Sequence, residues 1–302
     1  MQAVINTLKY ICILMGATSL VAVITIVFHR AYFNFTGEID PDLASKFGDF
    51  FGGFAGTLFS MLSVMLLIYT IAIQNLERSK NETQNRFFKM IDYHNENTRG
   101  IRVANIDISK SEFIEEGRRA FVQYKIQLKR LLETVNAICL KEAMALTNAE
   151  KIDIAYTCFF YGLSPTWMPF IEKKLKRYSL GSEITREIMS AIEQNKTLRL
   201  GRTNQTELSS YFRNMYNAIK MVDSDKYLTN KEKITLVKIY RAQLSNPELY
   251  ILFFNLASRF GRKWNENGYV ERYQLLTNLP RDYCDGFDPT EFYKIHFEED
   301  EI

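Results

Sequence analysis

Phe50-Phe-Gly-Gly-Phe-Ala-Gly-Thr-Leu-Phe-Ser-Met-Leu-Ser-Val-Met-Leu-Leu-Ile-Tyr-Thr-Ile-Ala-Ile73 is a run of 24 residues without a charged side chain. At about 1.5 Å per residue, a helix of that length crosses the roughly 30 Å of hydrocarbon in a bilayer. Residues 10–28 form a second uncharged stretch, of 19 residues. The mean hydropathy of −0.18 averages over these two segments and a far more polar remainder. The pattern predicts two transmembrane helices, about 10–28 and 50–73, ahead of a long polar domain. It argues against a purely cytosolic globular protein. The first stretch follows Lys9 but is longer than the apolar region of a signal peptide, and no A-x-A-like site follows it.

Small residues enter the second stretch at Gly48, Gly52, Gly56 and Ser60. A spacing of four puts them on one helical face, where another backbone can approach closely. The partner is either the other helix of the same chain or a second copy, which makes a homo-oligomer an expectation. Asp49 lies at the outer edge of that face. Flanking charge sets the orientation. Glu38, Asp40, Asp42 and Asp49 dominate the connection between the stretches, whereas Arg78, Lys80, Arg86 and Lys89 follow the second. Basic residues stay on the cytoplasmic side, so both termini are expected there.

Beyond residue 73 the positions Leu76, Lys80, Thr83, Phe87, Met90 and His94 recur at alternating spacings of three and four. This is a short heptad seam, read either as a stalk or as a face packed on the following domain. The rest reads as helix after helix, so the fold class expected is all-α. Helices are predicted over 112–146, 152–163, 168–178, 182–195, 207–222, 229–244 and 247–261, with a short one over 269–276. Thr147 with Glu150 and Thr229 with Glu232 are capping-box patterns, and Asn246 precedes Pro247 as an expected cap. The expected organisation is an anchor over 1–76, a helical linker over 77–110, a helical cytosolic domain over 111–281 and an acidic tail over 282–302.

The net charge of +3 conceals a split. Residues 1–76 carry −1 and residues 282–302 carry −7, which leaves +11 on residues 77–281. A basic body joined to an acidic tail suggests a polyanion, a membrane surface or masking of one by the other. Lys173, Lys174, Lys176 and Arg177 form the densest basic patch, suited to a solvated face or anionic lipid heads. Nucleic acid is a possible partner without a specific motif to support it.

Chemistry-bearing motifs are sparse. The cysteines Cys12, Cys139, Cys158 and Cys284 and the histidines His29, His94 and His296 are scattered, without metal-ligand spacing. No metal and no cofactor is expected. No phosphate loop, dinucleotide fingerprint, zinc-protease helix or nucleophile elbow occurs. Arg86 and His94 are poorly spaced for general acid–base work on RNA. Two polar clusters stand out among apolar helices. They are Arg213 with Asn217 in Tyr211-Phe-Arg-Asn-Met-Tyr-Asn217, and Arg241, Gln243 and Asn246 in Tyr240-Arg-Ala-Gln-Leu-Ser-Asn246. Forked guanidinium and amide groups there either cap helices and satisfy carbonyls, or bind a nucleotide or anion.

The Gly48-Asp-Phe-Phe-Gly-Gly53 entry and Phe87-Phe-Lys-Met-Ile-Asp-Tyr-His94 resemble the phage abortive-infection proteins of the AbiC type. So do Tyr211-Phe-Arg-Asn-Met-Tyr216, Tyr240-Arg-Ala-Gln-Leu-Ser-Asn246 and Glu248-Leu-Tyr-Ile-Leu-Phe-Phe-Asn255. The resemblance implies a bacterial, membrane-anchored antiphage protein in the inner membrane, acting with the lipid bilayer and with a phage component or an operon partner. It supplies no catalytic residue. The leading expectation is an effector or sensor without conventional catalysis. The alternative is a tethered nuclease or nucleotide-binding enzyme using the Arg241/Asn246 region.

Overall fold

The computed structural model describes residues 2–28, 41–104, 114–178, 186–187, 190 and 203–301, and divides into two compact units, Met1–Thr83 and Gln84–Ile302. The described chain is predominantly α-helical, in the order α1 (Gln2–Phe28), α2 (Pro41–Gly100), β1 (Arg102–Ala104), β2 (Ile114–Glu116), α3 (Arg118–Lys141), α4 (Asn148–Tyr161) and α5 (Met168–Leu175). Then come α6 (Gln205–Ser224), α7 (Asn230–Arg241), α8 (Asn246–Ala257), α9 (Arg262–Glu266) and α10 (Tyr269–Arg272). The expected helix over 182–195 lies outside the described residues except at 186, 187 and 190, as do residues 196–202 of the loop after it.

In the first unit, α1 and the early part of α2 are long and apolar enough to cross a membrane. Their large apolar side chains point outward: Tyr10, Leu14 and Val21 on α1, and Met61, Val64 and Leu67 on α2, are all exposed. Gly16 approaches Leu62, whose Cδ2 would lie 4.0 Å from a Cβ there. The small-residue stripe does not serve that contact. Among the described residues, nothing lies within 4 Å of a Cβ placed on Gly48, Gly52 or Gly56, and Ser60 is exposed.

The second unit is built around α8. Every residue from Glu248 to Leu256 is buried, and a helix apolar on all sides needs walls on all sides. α3 and α4 pack against it and each other, and α9 returns beside it. Phe87, Ile91, His94 and Thr98 of α2 are buried in this unit, so from Phe87 onward the seam packs on the helical domain.

Several boundaries depart from expectation. The helix expected over 112–146 spans Arg118–Lys141 instead. Residues 114–116 pair antiparallel with 102–104, closed by the Arg102–Glu116 ion pair at 3.1 Å. Gly117, at φ +62°, turns the chain between strand and helix, a conformation glycine adopts without steric cost. Asn246 is not the cap of α8. Ser245 is, through a capping box with Glu248, while Asn246 and Pro247 occupy the first turn. The boxes at Thr147/Glu150 and Thr229/Glu232 form as expected. The acidic end does not hang free: Phe287, Tyr293, Ile295 and Phe297 are buried in the core. Two of its acids pair with cations of the basic body, Asp285 with Lys129 at 2.8 Å and Asp300 with Arg281. Removing this segment would therefore take core side chains with it.

A buried ion pair locks α4 to the turn after α8. Asp153 is 4% exposed and meets Arg259, which donates to it from the backbone N–H at 2.6 Å and from the guanidinium at 2.6 and 2.9 Å. Tyr178 donates a further bond at 2.5 Å. Burial alone would raise the Asp153 carboxyl, but the bonds from Arg259 and Tyr178 outweigh it and hold the group below its usual range. Asp153→Ala leaves Arg259 without its counter-charge. It should cost about 3–5 kcal/mol, read as a Tm lowered by roughly 10 °C in calorimetry. Gly261 ends the same turn, where a Cβ would overlap the Leu256 backbone. Gly261→Ala should cost about 2 kcal/mol or more by denaturant titration, whereas Gly268→Asn should be far milder, because nothing crowds Gly268.

Candidate functional site

α6 buries Leu208, Phe212, Met215, Ile219 and Val222 along one face. Its flank carries Arg213, Tyr216, Asn217 and Lys220, spaced by three and four residues so that their side chains neighbour one another. α6 begins at Asn204, which donates its amide to the Phe159 carbonyl at 2.9 Å and the Gln127 side chain at 3.2 Å. That polar anchor fixes α6 on α3 and α4.

On the opposite side, the chain leaves α8 at Ser258, turns through Arg259–Gly261 and returns as α9. Asn265 donates to the Leu256 carbonyl at 3.1 Å and holds the return in place. The ring of Tyr216 meets the buried Trp264 edge-on, with centroids 5.3 Å apart, and Asn267 donates to the Tyr216 hydroxyl at 3.4 Å.

Between α6 and α9 lies a cleft of about 770 Å³. Phe212, Phe260, Tyr216 and Trp264 supply its aromatic lining, and Asn217, Asn255 and Asn267 its amides. Arg213, Lys220 and Lys263 line it as cations, and none forms an ion pair with another described residue. Among the described residues, the one acid on its wall, Glu266, is already engaged by Arg262 at 2.7 Å. Asn255 at the buried end donates to the Tyr156 hydroxyl at 2.9 Å.

The structure therefore separates the two polar clusters found in the sequence. Arg213 and Asn217 come together on the cleft. Arg241, Gln243 and Asn246 lie elsewhere. Arg241 Nη1 donates to the Gln274 carbonyl at 2.6 Å, and the Gln243 carbonyl accepts from Arg118 Nη2 at 2.7 Å. Asn246 is exposed at the start of α8. Lys173, Lys174 and Lys176 are exposed at and just past the end of α5, with the Lys174 ammonium 5.1 Å from the Phe170 ring. The Arg177 side chain lies outside the described set. Lys263 and Trp264 were not singled out in the sequence, although a cation beside a tryptophan in a short polar helix is a readable signal. Among the described residues, no three His, Cys, Asp or Glu side chains converge to hold a metal ion.

A second polar group, in the core, also escaped the sequence reading. Glu248 is 1% exposed. It accepts from the Ser245 N–H at 2.8 Å, the Ser245 hydroxyl at 2.6 Å and the Tyr211 hydroxyl at 3.2 Å, with Arg118 Nε at 3.7 Å. Burial and then the Glu248 charge push the Tyr211 and Tyr240 hydroxyls well above their usual range. His94 lies against both rings, at 4.4 and 5.0 Å between centroids, and neither ring nitrogen has a hydrogen-bond partner among the described residues. Burial, with Arg118 adding repulsion, lowers His94 to about 4. At neutral pH it is thus an uncharged core aromatic.

One comparison with known proteins gives a match, and it falls on the segment that carries the cleft. Residues 203–283 match the family described as "Putative phage abortive infection protein". That segment, and not the rest of the chain, carries the likeness to the AbiC-like family. Every residue lining the cleft except Phe160 falls within it. No curated protein and no solved structure matches the chain.

The low value for His94 has a defined consequence for stability. The unfolded state takes up a proton near pH 6.5 and the folded state only near 4, so stability falls as pH drops through that window. The loss by pH 4 is on the order of 3 kcal/mol. In His94→Phe, urea titrations between pH 7 and 4 should lose most of this slope. A slope equal to that of the wild type would count against a neutral buried imidazole.

Proposed function

We propose that this protein is a membrane-anchored antiphage protein that acts as an effector or sensor without conventional catalysis. The observation that carries the reading is the outward apolar surface of α1 and early α2 in a chain that also carries the abortive-infection segment. Side chains such as Leu14, Val21, Val64 and Leu67 face outward, uncovered by any described residue, a surface suited to lipid and poorly suited to water. Residues 1–76 then form the anchor, and the helical unit sits on the cytoplasmic side of the bacterial inner membrane. Arg78, Lys80, Arg86 and Lys89 just past the second span support that orientation, with both termini inside. The open stripe of Gly48, Gly52, Gly56 and Ser60 supports self-association within the bilayer. A phage component or an operon product is the expected partner. The enzymatic alternative through Arg241 and Asn246 gains no support from their placement, since Arg241 is spent on a backbone carbonyl.

Phage challenge of a bacterial host expressing the full chain should lower phage yield, with membrane depolarisation preceding any loss of RNA integrity. Early RNA degradation at intact membrane potential would favour an enzyme instead.

A further inference from the structure

We propose that the cleft between α6 and α9 is a binding site for a nucleoside phosphate. The proposal gives the sensor reading a ligand and stands on the chemistry of the cleft alone.

Three observations point to this class. First, Arg213, Lys220 and Lys263 bring three cations to one wall system, and none forms an ion pair with another described residue, while Glu266 is held by Arg262. Cations left unpaired around a concave surface suit a ligand carrying two or three negative charges, and a guanidinium with two ammonium groups is a common phosphate-binding set. Second, the cleft is not a plain anion cradle. Tyr216, half-buried, and Phe260 offer ring surface beside those cations, which suits a flat heterocycle. The Asn217 amide has no hydrogen-bond partner among the described residues, leaving a donor and an acceptor for the edge of a base. Third, the size fits. A cleft of about 770 Å³ lies within the range of small-ligand sites and admits one nucleotide with its phosphates. A lipid head would use the cations but not the rings and the amide. A long nucleic acid strand would call for basic groups continuing beyond the cleft in a track.

The chain has two tryptophans, and only Trp264 lines the cleft, so its fluorescence reports on occupancy. Full-length protein in detergent, carrying Trp167→Phe, is titrated in parallel with ATP, GTP, CTP and UTP, with inorganic pyrophosphate, with anionic phospholipid vesicles and with single-stranded RNA. At least one nucleotide should change the Trp264 signal saturably, at least tenfold more tightly than pyrophosphate. Arg213→Ala and Lys220→Ala, both at exposed positions, should each weaken that binding by about tenfold with Tm unchanged. No saturable change with any nucleotide would overturn the proposal. So would pyrophosphate or vesicles binding as tightly as the best nucleotide, RNA binding more tightly than any mononucleotide, or variants that bind like the wild type. None of these outcomes bears on phage yield or membrane potential, so failure here and failure of the antiphage reading are told apart.

Discussion

The helical unit depends on one constraint, the complete burial of α8. Nine consecutive residues, Glu248 to Leu256, are shielded from water, four of them Tyr250, Phe253, Phe254 and Ile251. Each large apolar side chain buried there contributes about 2–3 kcal/mol, provided that all sides are covered. α3, α4 and the α9 return supply the cover, and the acidic end adds Phe287, Tyr293 and Phe297 to the same core. The two polar residues in the run are satisfied in place. Glu248 is tied to its own cap and Tyr211, and Asn255 to Tyr156.

That constraint also makes the cleft. α8 must end where its cover ends, and the chain reverses within four residues through Ser258, Arg259, Phe260 and Gly261. Arg259 is drawn inward by Asp153, and Gly261 alone fits against the Leu256 backbone. The reversal lays Lys263 and Trp264 beside the flank of α6. Since the apolar face of α6 is committed to the core, its flank carries Arg213, Asn217 and Lys220 into an open space. Glu248, Asn255 and Asp153 are matched within the core, whereas the cleft gathers three cations that form no ion pair with another described residue.

How much of this was legible follows from the range of each signal. The long uncharged runs and the capping boxes are local, and the helices over 207–222 and from Thr229 onward were readable from residues within one or two turns. The β1–β2 pair was not, because three-residue strands leave no periodicity and Gly117 acts only through its backbone angle. The two polar clusters looked equivalent as strings of Arg and Asn. Only packing shows that Arg241 meets the Gln274 carbonyl, 33 positions away, while Arg213 forms no hydrogen bond or ion pair with another described residue. Lys263 joins Arg213 through a reversal no spacing rule encodes. Charge suggested an acidic tail acting on a basic body; Asp285 does meet Lys129, and the alternating burial of Tyr293, Ile295 and Phe297 also makes this end a structural strap. Ser245, rather than Asn246, was readable as the cap of α8, since Glu248 follows it by three.

The most direct measurement is alkaline carbonate extraction of bacterial membranes that contain the full chain, followed by ultracentrifugation. Retention in the pellet, with release by detergent alone, is the result expected of two bilayer-spanning helices. Recovery in the carbonate supernatant would contradict the anchor and leave the apolar surfaces of α1 and α2 to be covered by protein instead.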